Sequence, residues 1–147
     1  MLGQYRVLNE ILIFAVGVAI TSYVALSFSG VKDIIGLVST TDKLDNTANN
    51  ILNAIVRASE ANSSLVIEIP ETISEKAYMI RVLDGNGGAC DKGDDCFLNL
   101  STTDVSIAKQ LFNISQNYNI KGDVHSTARF LTISSDKSTE QIVLGRA

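Results

Sequence analysis

An acidic, glycine-rich loop at residues 84–95 is the part of the chain that comes nearest to a metal-binding pattern. EF-hand loops place oxygen ligands at the first, third and fifth positions, a glycine at the sixth and a bidentate Glu at the twelfth. Asp84 and Asn86 match the first and third positions, but Ala89 replaces the glycine and Asp95 replaces the Glu. The pattern therefore does not predict a metal site, and it favours an acidic surface loop.

The histidine content also limits the possible chemistry, because His125 is the only histidine. A single histidine with no matching cysteine spacing does not build a zinc site or a Ser–His nucleophile pair. The chain has no phosphate-binding glycine motif followed by Lys and Ser or Thr, and no recognisable pair of carboxylates. We place His125 in a loop between Asp123 and Ser126, and the sequence predicts neither an enzyme nor a cofactor.

Two further sets of residues bear on the compartment of the protein. Cys90 and Cys96 are the only cysteines, and in an oxidising compartment a pair this close is expected to form a disulfide, with a pair of free thiols as the alternative. Asn62, Asn99 and Asn113 each begin an Asn-X-Ser sequence and are candidate glycosylation sites on an external domain.

The chain is organised around an apolar stretch at residues 11–31, which carries no charge between Glu10 and Lys32. As a helix it would be about 30 Å long, the thickness of a bilayer's hydrocarbon core. A cleaved signal peptide fits poorly, because its apolar core is shorter and its start more basic. A signal anchor and a helix that packs against copies of itself both remain open. Small residues four apart favour close helix packing, and they are Ala15 with Ala19, Gly17 with Thr21 and Ala25 with Ser29.

Charge gives the orientation and excludes one class of partner. Arg6 and the α-amino group precede the apolar stretch, so the positive-inside rule favours a cytoplasmic N-terminus and an extracellular C-terminal domain. The formal net charge of −4 argues against nucleic-acid binding, which needs a basic surface.

We divide the chain into a leader and helix start at 1–10, a transmembrane or assembly helix at 11–31, an amphipathic helix at 32–61 and an extracellular β-rich domain at 62–147. Apolar residues at helical spacing predict that one helix continues to about Glu60. The alternative is a break at residues 39–41, with Asp42 capping a second helix.

Beyond residue 61 the apolar period changes to two, which predicts strands. We expect an α+β fold in which the long helix packs on a small antiparallel sheet of four or five strands. The predicted elements are strands at Ser64–Ile69, Ala77–Leu83 and Cys96–Leu100, a short helix at Asp104–Phe112, and a closing hairpin of Thr127–Ser134 with Thr139–Leu144.

The start of the chain resembles a known family. The run from Arg6 to Leu12, followed by the apolar residues 13–21, looks like the N-terminus of archaeal type IV pilins. The later part resembles archaeal pilin-like secreted proteins, with a helix that leads into a strand, a turn at Glu68-Ile69-Pro70 and a second strand at 78–83.

This resemblance implies a structural subunit, a major or minor pilin, of a type IV pilus-like surface filament. A prepilin peptidase would cut between Gly3 and Gln4, or after Tyr5 if the acid is to stand fifth in the mature chain. The apolar helix would leave the membrane for the filament core, where Glu10 would meet the N-terminal amine of an adjacent subunit. The residues that the resemblance assigns to assembly are Arg6, Glu10, Ala15, Gly17 and Ala19.

The implied partners are copies of this chain or other pilins, the prepilin peptidase, the pilus assembly platform and, before assembly, the membrane. The alternative function is a single-pass, membrane-anchored extracellular binding domain, or a component of an envelope or motility complex.

Overall fold

The computed structural model describes the backbone of residues 2–147 and the side chains of residues 7–32 and 34–147. The chain forms two compact units, Met1–Val38 and Ser39–Ala147. The fold is α+β, with one long N-terminal helix and a seven-stranded sheet. In chain order the elements are α1 (Leu2–Ala61), β1 (Ser64–Glu68), β2 (Met79–Asp84), β3 (Cys96–Ser101), β4 (Ser106–Gln110), α2 (Phe112–Ser115), β5 (Asn119–His125), a 3-10 turn (Ser126–Ala128), β6 (Phe130–Asp136) and β7 (Gln141–Arg146).

Helix α1 ends where the sequence predicts, at Ala61. Asn62 follows with φ of 49°, and the Ser63 N–H donates to the Ala58 carbonyl at 3.3 Å, which closes the last turn. The alternative break at residues 39–41 does not occur. Thr40 lies inside the helix and is buried, and its hydroxyl donates a hydrogen bond to Ser74 Oγ at 2.8 Å. Its side chain therefore contributes to tertiary packing and does not cap a helix.

The sheet is mixed, with strand order β1-β6-β7-β5-β2-β3-β4. Every neighbouring pair is antiparallel except β5 with β7, which is parallel. The expectation of four or five antiparallel strands is therefore wrong in number and in direction. The first three predicted strands and the closing β6–β7 hairpin do occur, with shifted ends.

Two predictions fail between residues 104 and 125. The predicted helix at Asp104–Phe112 is instead strand β4, because residues 106–110 pair with β3, and only the four residues of α2 are helical nearby. Strand β5 was not predicted, and His125 ends this strand rather than lying in a loop. Its centre is Gly122, where an added Cβ would lie 2.6 Å from Leu144 Cβ. The close packing at Leu144 therefore requires glycine at this position, although glycine is a poor strand former.

The core of the second unit lies between the C-terminal part of α1 and one face of the sheet. The helix contributes side chains spaced three or four residues apart, and the strands contribute every second residue. The helical set is Leu44, Ala48, Ile51, Ile55 and Ala58, each 0% exposed. These residues span about 21 Å of helix, which is similar to the length of strands of five to seven residues with a rise of about 3.3 Å per residue.

The apolar residues just before this stripe do not join the core. Val31, Ile34, Ile35 and Val38 are all exposed, so the change from exposed to buried falls at residues 38–40 and not at residue 31. The buried positions of α1 therefore begin at Thr40, inside the second unit.

A buried polar cluster joins β2 to the turn after β5. The Tyr78 N–H donates to Ser126 Oγ at 3.0 Å, and that hydroxyl donates to the Glu71 carbonyl at 2.7 Å. The Tyr78 hydroxyl donates to the Pro70 carbonyl at 2.9 Å, and burial raises the pKa of Tyr78 to about 12. The cluster satisfies the carbonyls of Pro70 and Glu71 in the segment between β1 and β2, which has little regular structure of its own.

The β6–β7 turn depends on the Asp136 carboxylate. It accepts hydrogen bonds from the Ser138 N–H at 2.8 Å, the Ser138 hydroxyl at 2.6 Å and the Thr139 hydroxyl at 2.9 Å. These bonds hold the pKa of Asp136 below its ordinary value of 3.8. The folded state therefore binds the proton more weakly than the unfolded state, so the stabilisation is full above pH 3.8 and is lost as pH falls through the lower, folded pKa.

We expect Asp136→Asn to lower the melting temperature at pH 6, and the difference from the unmodified chain to close as the pH is lowered below 3.8. Thermal unfolding between pH 2 and pH 6, followed by circular dichroism, measures it. Asp94→Asn removes another exposed carboxylate and is the control for net charge. A difference that stays constant over the whole range would contradict this account of the turn.

Candidate functional site

The N-terminal part of α1, residues 7–38, has an apolar surface that its own chain leaves exposed. Val24 is 44% exposed, and Phe14 and Tyr23 are each 74% exposed. We call residues 7–38 the exposed apolar segment. Outside it, the large hydrophobic side chains exposed in the described part of the chain are Val66, Phe112, Phe130 and Val143.

The hydroxyl groups of this segment are satisfied within the helix. Thr21 donates to the Gly17 carbonyl at 2.5 Å, Ser22 to the Val18 carbonyl at 2.8 Å, and two further serines bond in the same way. Those two are Ser27 with Tyr23 at 2.9 Å and Ser29 with Leu26 at 2.8 Å. A hydroxyl bonded to its own helix has no remaining proton that needs water, so the segment is suited to an environment without water.

Gly17 lies in the middle of the predicted small-residue pattern. A Cβ built on it meets no atom within 4 Å outside its own helical turn, so the chain's own packing does not require a glycine there. Ala15 and Ala19 are exposed on the same helix. A glycine in an exposed helix interior costs about 0.5–1 kcal/mol relative to alanine, and close approach by another helix would account for it.

Glu10 is the acid at the start of the exposed apolar segment, and its side chain is exposed. It is the only charged residue between residues 7 and 31. The predicted cleavage residues Gly3 and Gln4, and the side chain of Arg6, lie outside the described side chains. The structure therefore brings Glu10 onto one helix with Ala15, Gly17 and Ala19.

Among the described residues, α1 is the helix whose length and composition suffice to cross a membrane, and none of its most apolar stretch is buried. An N-terminal signal sequence would satisfy the same criterion. The structure thus supports a long apolar N-terminal helix, the feature on which the predicted localisation depends.

The predicted disulfide is present between Cys90 and Cys96, and both residues are fully buried. The loop it closes also contacts its surroundings, since the Gly93 N–H donates to the Ser115 carbonyl at 2.9 Å. Before it, Asp84 Oδ1 accepts hydrogen bonds from the N–H groups of Asn86 and Gly88, so this acid stabilises its own turn. No group of three potential metal-ligating side chains occurs among the described residues.

The three glycosylation candidates have different surroundings. Asn62 is exposed at the end of α1, and its side-chain oxygen accepts the Lys137 N–H at 2.8 Å. Asn113 is exposed in α2, whereas Asn99 is half-buried in the middle of β3. His125 Nδ1 lies 3.0 Å from Thr127 Oγ1 at the end of β5.

No protein-family model, no curated protein and no solved structure matches this chain.

The sequence reasoning missed the two free edges of the sheet. Strand β1 was predicted but its edge position was not, because β6 lies about seventy residues away along the chain. The other edge, β4, was predicted as a helix. The alternation of Ser106, Ile107 and Ala108 was the available signal for a strand.

We expect reduction of the disulfide, or the paired change Cys90→Ala with Cys96→Ala, to lower the free energy of unfolding by about 2 kcal/mol, because the short closed loop restricts the unfolded chain. Urea unfolding with and without a thiol reductant measures the difference. The alanine variant should be insensitive to the reductant and thus serves as the control. An unchanged unfolding midpoint would mean that the loop's stability comes from its packing alone.

Proposed function

We propose that this chain is a structural subunit, a major or minor pilin, of a type IV pilus-like archaeal surface filament that assembles through the exposed apolar segment. The observation that carries the proposal is the division of one helix into two environments. One stripe of its C-terminal part is buried in the core of the second unit, while the large apolar side chains of residues 7–38 are exposed.

A surface of this kind has to be covered. Soluble monomers rarely expose a continuous apolar patch of more than a few hundred Å². Burial of one Val, Leu, Ile or Phe side chain contributes about 1.5–3 kcal/mol, so a segment with many of them strongly favours an apolar environment. Lipid provides this environment before assembly, and the helices of neighbouring copies provide it in a filament core.

Two features favour neighbouring helices as the final environment. Gly17 leaves open space on the helix surface that a second helix can use. Glu10 places a negative charge at the start of the apolar segment, and in the resemblance to archaeal pilins this acid meets the N-terminal amine of an adjacent copy.

The second candidate function is a single-pass anchor for an external binding domain. The hydroxyl groups bonded within the helix favour it, because they make the segment equally suited to lipid. An acid at residue 10 is acceptable in such an anchor at the membrane interface, but the open surface at Gly17 makes no contact there. The filament is therefore the function that uses more of the observed features.

The experiment that tests the proposal is peptide mass spectrometry of the N-terminus on two fractions of cells that express the full chain. Mechanical shearing releases filaments and leaves membrane anchors in the pellet. We expect a new N-terminus at Gln4 or Arg6 in the sheared fraction. An intact Met1 found only in the pellet would disprove the filament and leave the anchored domain.

A leucine at position 17 tests helix packing directly. We expect Gly17→Leu to reduce the amount of sheared filament by about tenfold or more, because a bulky side chain at a close helix contact costs about 1–3 kcal/mol. Gly17→Ala is the matched control and should assemble. Both variants should retain the melting temperature of the unmodified chain, since a Cβ at this position meets nothing in the chain itself. Normal filament yield from Gly17→Leu would mean that no helix packs closely at this residue.

A further inference from the structure

The seven-stranded sheet has two unpaired edges, β1 and β4. An edge strand carries a row of N–H and C=O groups that can pair with another strand. Each of these strands is five residues long and has no proline. Within the part of the chain that the structure describes, the outer side of each edge pairs with no other strand.

The hydrogen bonds at the two ends of β1 show which of its residues face outward. The Ile69 N–H donates to the Arg129 carbonyl at 2.8 Å, and the Ser135 N–H donates to the Ser63 carbonyl at 3.3 Å. The odd-numbered residues therefore bond to β6, and in an antiparallel pair the alternate residues direct their backbone groups away. The outward residues of β1 are Ser64, Val66 and Glu68.

Strand β4 shows the same alternation as β1. The Leu111 N–H donates to the Cys96 carbonyl, and the Thr102 N–H donates to the Val105 carbonyl, both at 2.8 Å. The odd-numbered residues again bond to the sheet, here to β3. The outward residues of β4 are Ser106, Ala108 and Gln110.

The two edges run in opposite directions. Following the pairings across the sheet, β7 and β5 run parallel to β1, whereas β6, β2 and β4 run antiparallel to it. A second copy in the same orientation would thus present β4 antiparallel to β1, with the helices of both copies on the same face.

The side chains also match across such a contact. Val66 is 60% exposed, and Ala108 is exposed as well, so both point to the open face of the sheet. With these two residues opposite each other, Ile67 lies opposite Ile107 on the helix face. Both isoleucines are only partly buried in the isolated chain, and the contact would cover them.

We propose that β1 of one copy pairs with β4 of a second copy, antiparallel and with Val66 opposite Ala108, so that the sheet continues from one copy to the next. Each pairing uses β1 of one copy and β4 of the other, so β4 of the first copy and β1 of the second stay free. The contact is therefore heterologous, and further copies can add at both ends. A twofold β1–β1 contact is the alternative, and the cross-linking test below distinguishes the two arrangements.

The pairing concerns the sheet alone and does not depend on the function proposed for the helix. It is tested on the full chain in detergent micelles, which cover the exposed apolar segment. Val66→Cys and Ala108→Cys chains carry tags of different size, are mixed, and are oxidised with a copper–phenanthroline catalyst. The Cα atoms of a hydrogen-bonded antiparallel pair lie about 5.5 Å apart, within the range that a disulfide bridges.

We expect a mixed disulfide dimer from the two chains together and none from either chain alone. Val143→Cys mixed with Ala108→Cys is the matched control, since Val143 is exposed but lies on the interior strand β7. A mixed dimer no stronger than this control would overturn the proposal. Equally strong cross-linking of Val66→Cys with itself would also overturn it, because that result indicates a twofold contact.

A second variant tests the backbone pairing. Ser106→Pro, added to the Ala108→Cys chain, removes an outward N–H at the first residue of β4, a position where an edge strand tolerates proline. We expect an unchanged melting temperature and a loss of the mixed dimer. Undiminished cross-linking at an unchanged melting temperature would show that the contact does not need the outward N–H, and would overturn the strand pairing.

Discussion

The rest of the structure depends on one constraint, which is that the large apolar side chains described in residues 7–38 are exposed and lie outside the described core. Residues 7–38 form regular helix, so their backbone groups are satisfied, and their hydroxyls bond to the same helix. What remains unsatisfied is apolar surface, and it can be removed from water only by lipid or by other molecules. A folded domain at the other end of the same helix then needs no contribution from this segment to its own core.

The second unit has a hydrophobic core of its own. The stripe of α1 from Leu44 to Ala58 fills one side of the core, and alternate residues of the strands fill the other. A disulfide at the Cys90–Cys96 loop and the polar cluster around Tyr78 hold segments that lack regular structure. Because the described core of this unit contains no residue of the exposed apolar segment, a change in the surroundings of the segment removes no contact from that core.

The sequence predicted the elements whose signals are local. The length of α1, the disulfide and the first three strands follow from apolar spacing, cysteine spacing and runs of alternating residues. The failures have a non-local cause. Strand β4 contains Ile107 and Ala108 at a spacing that also fits a helix, and its pairing with β3 decides the outcome. Strand β5 carries Lys121, Gly122 and Asp123, which are poor strand formers, and it exists because β7 and β2 lie on either side of it. In the candidate site, the apolar segment and Glu10 could be predicted from composition. The positions of β1 and β4 at the sheet edges could not, because they depend on pairings between strands that are far apart in the sequence.

The most direct test of the central claim is electron cryomicroscopy of surface filaments sheared from cells that produce this chain. The account predicts helical density for residues 7–38 bundled at the filament axis, with Gly17 at a close contact between helices and the seven-stranded domain on the outside. Filaments that lack this chain, with the protein held in the membrane fraction and its apolar segment in lipid, would contradict it.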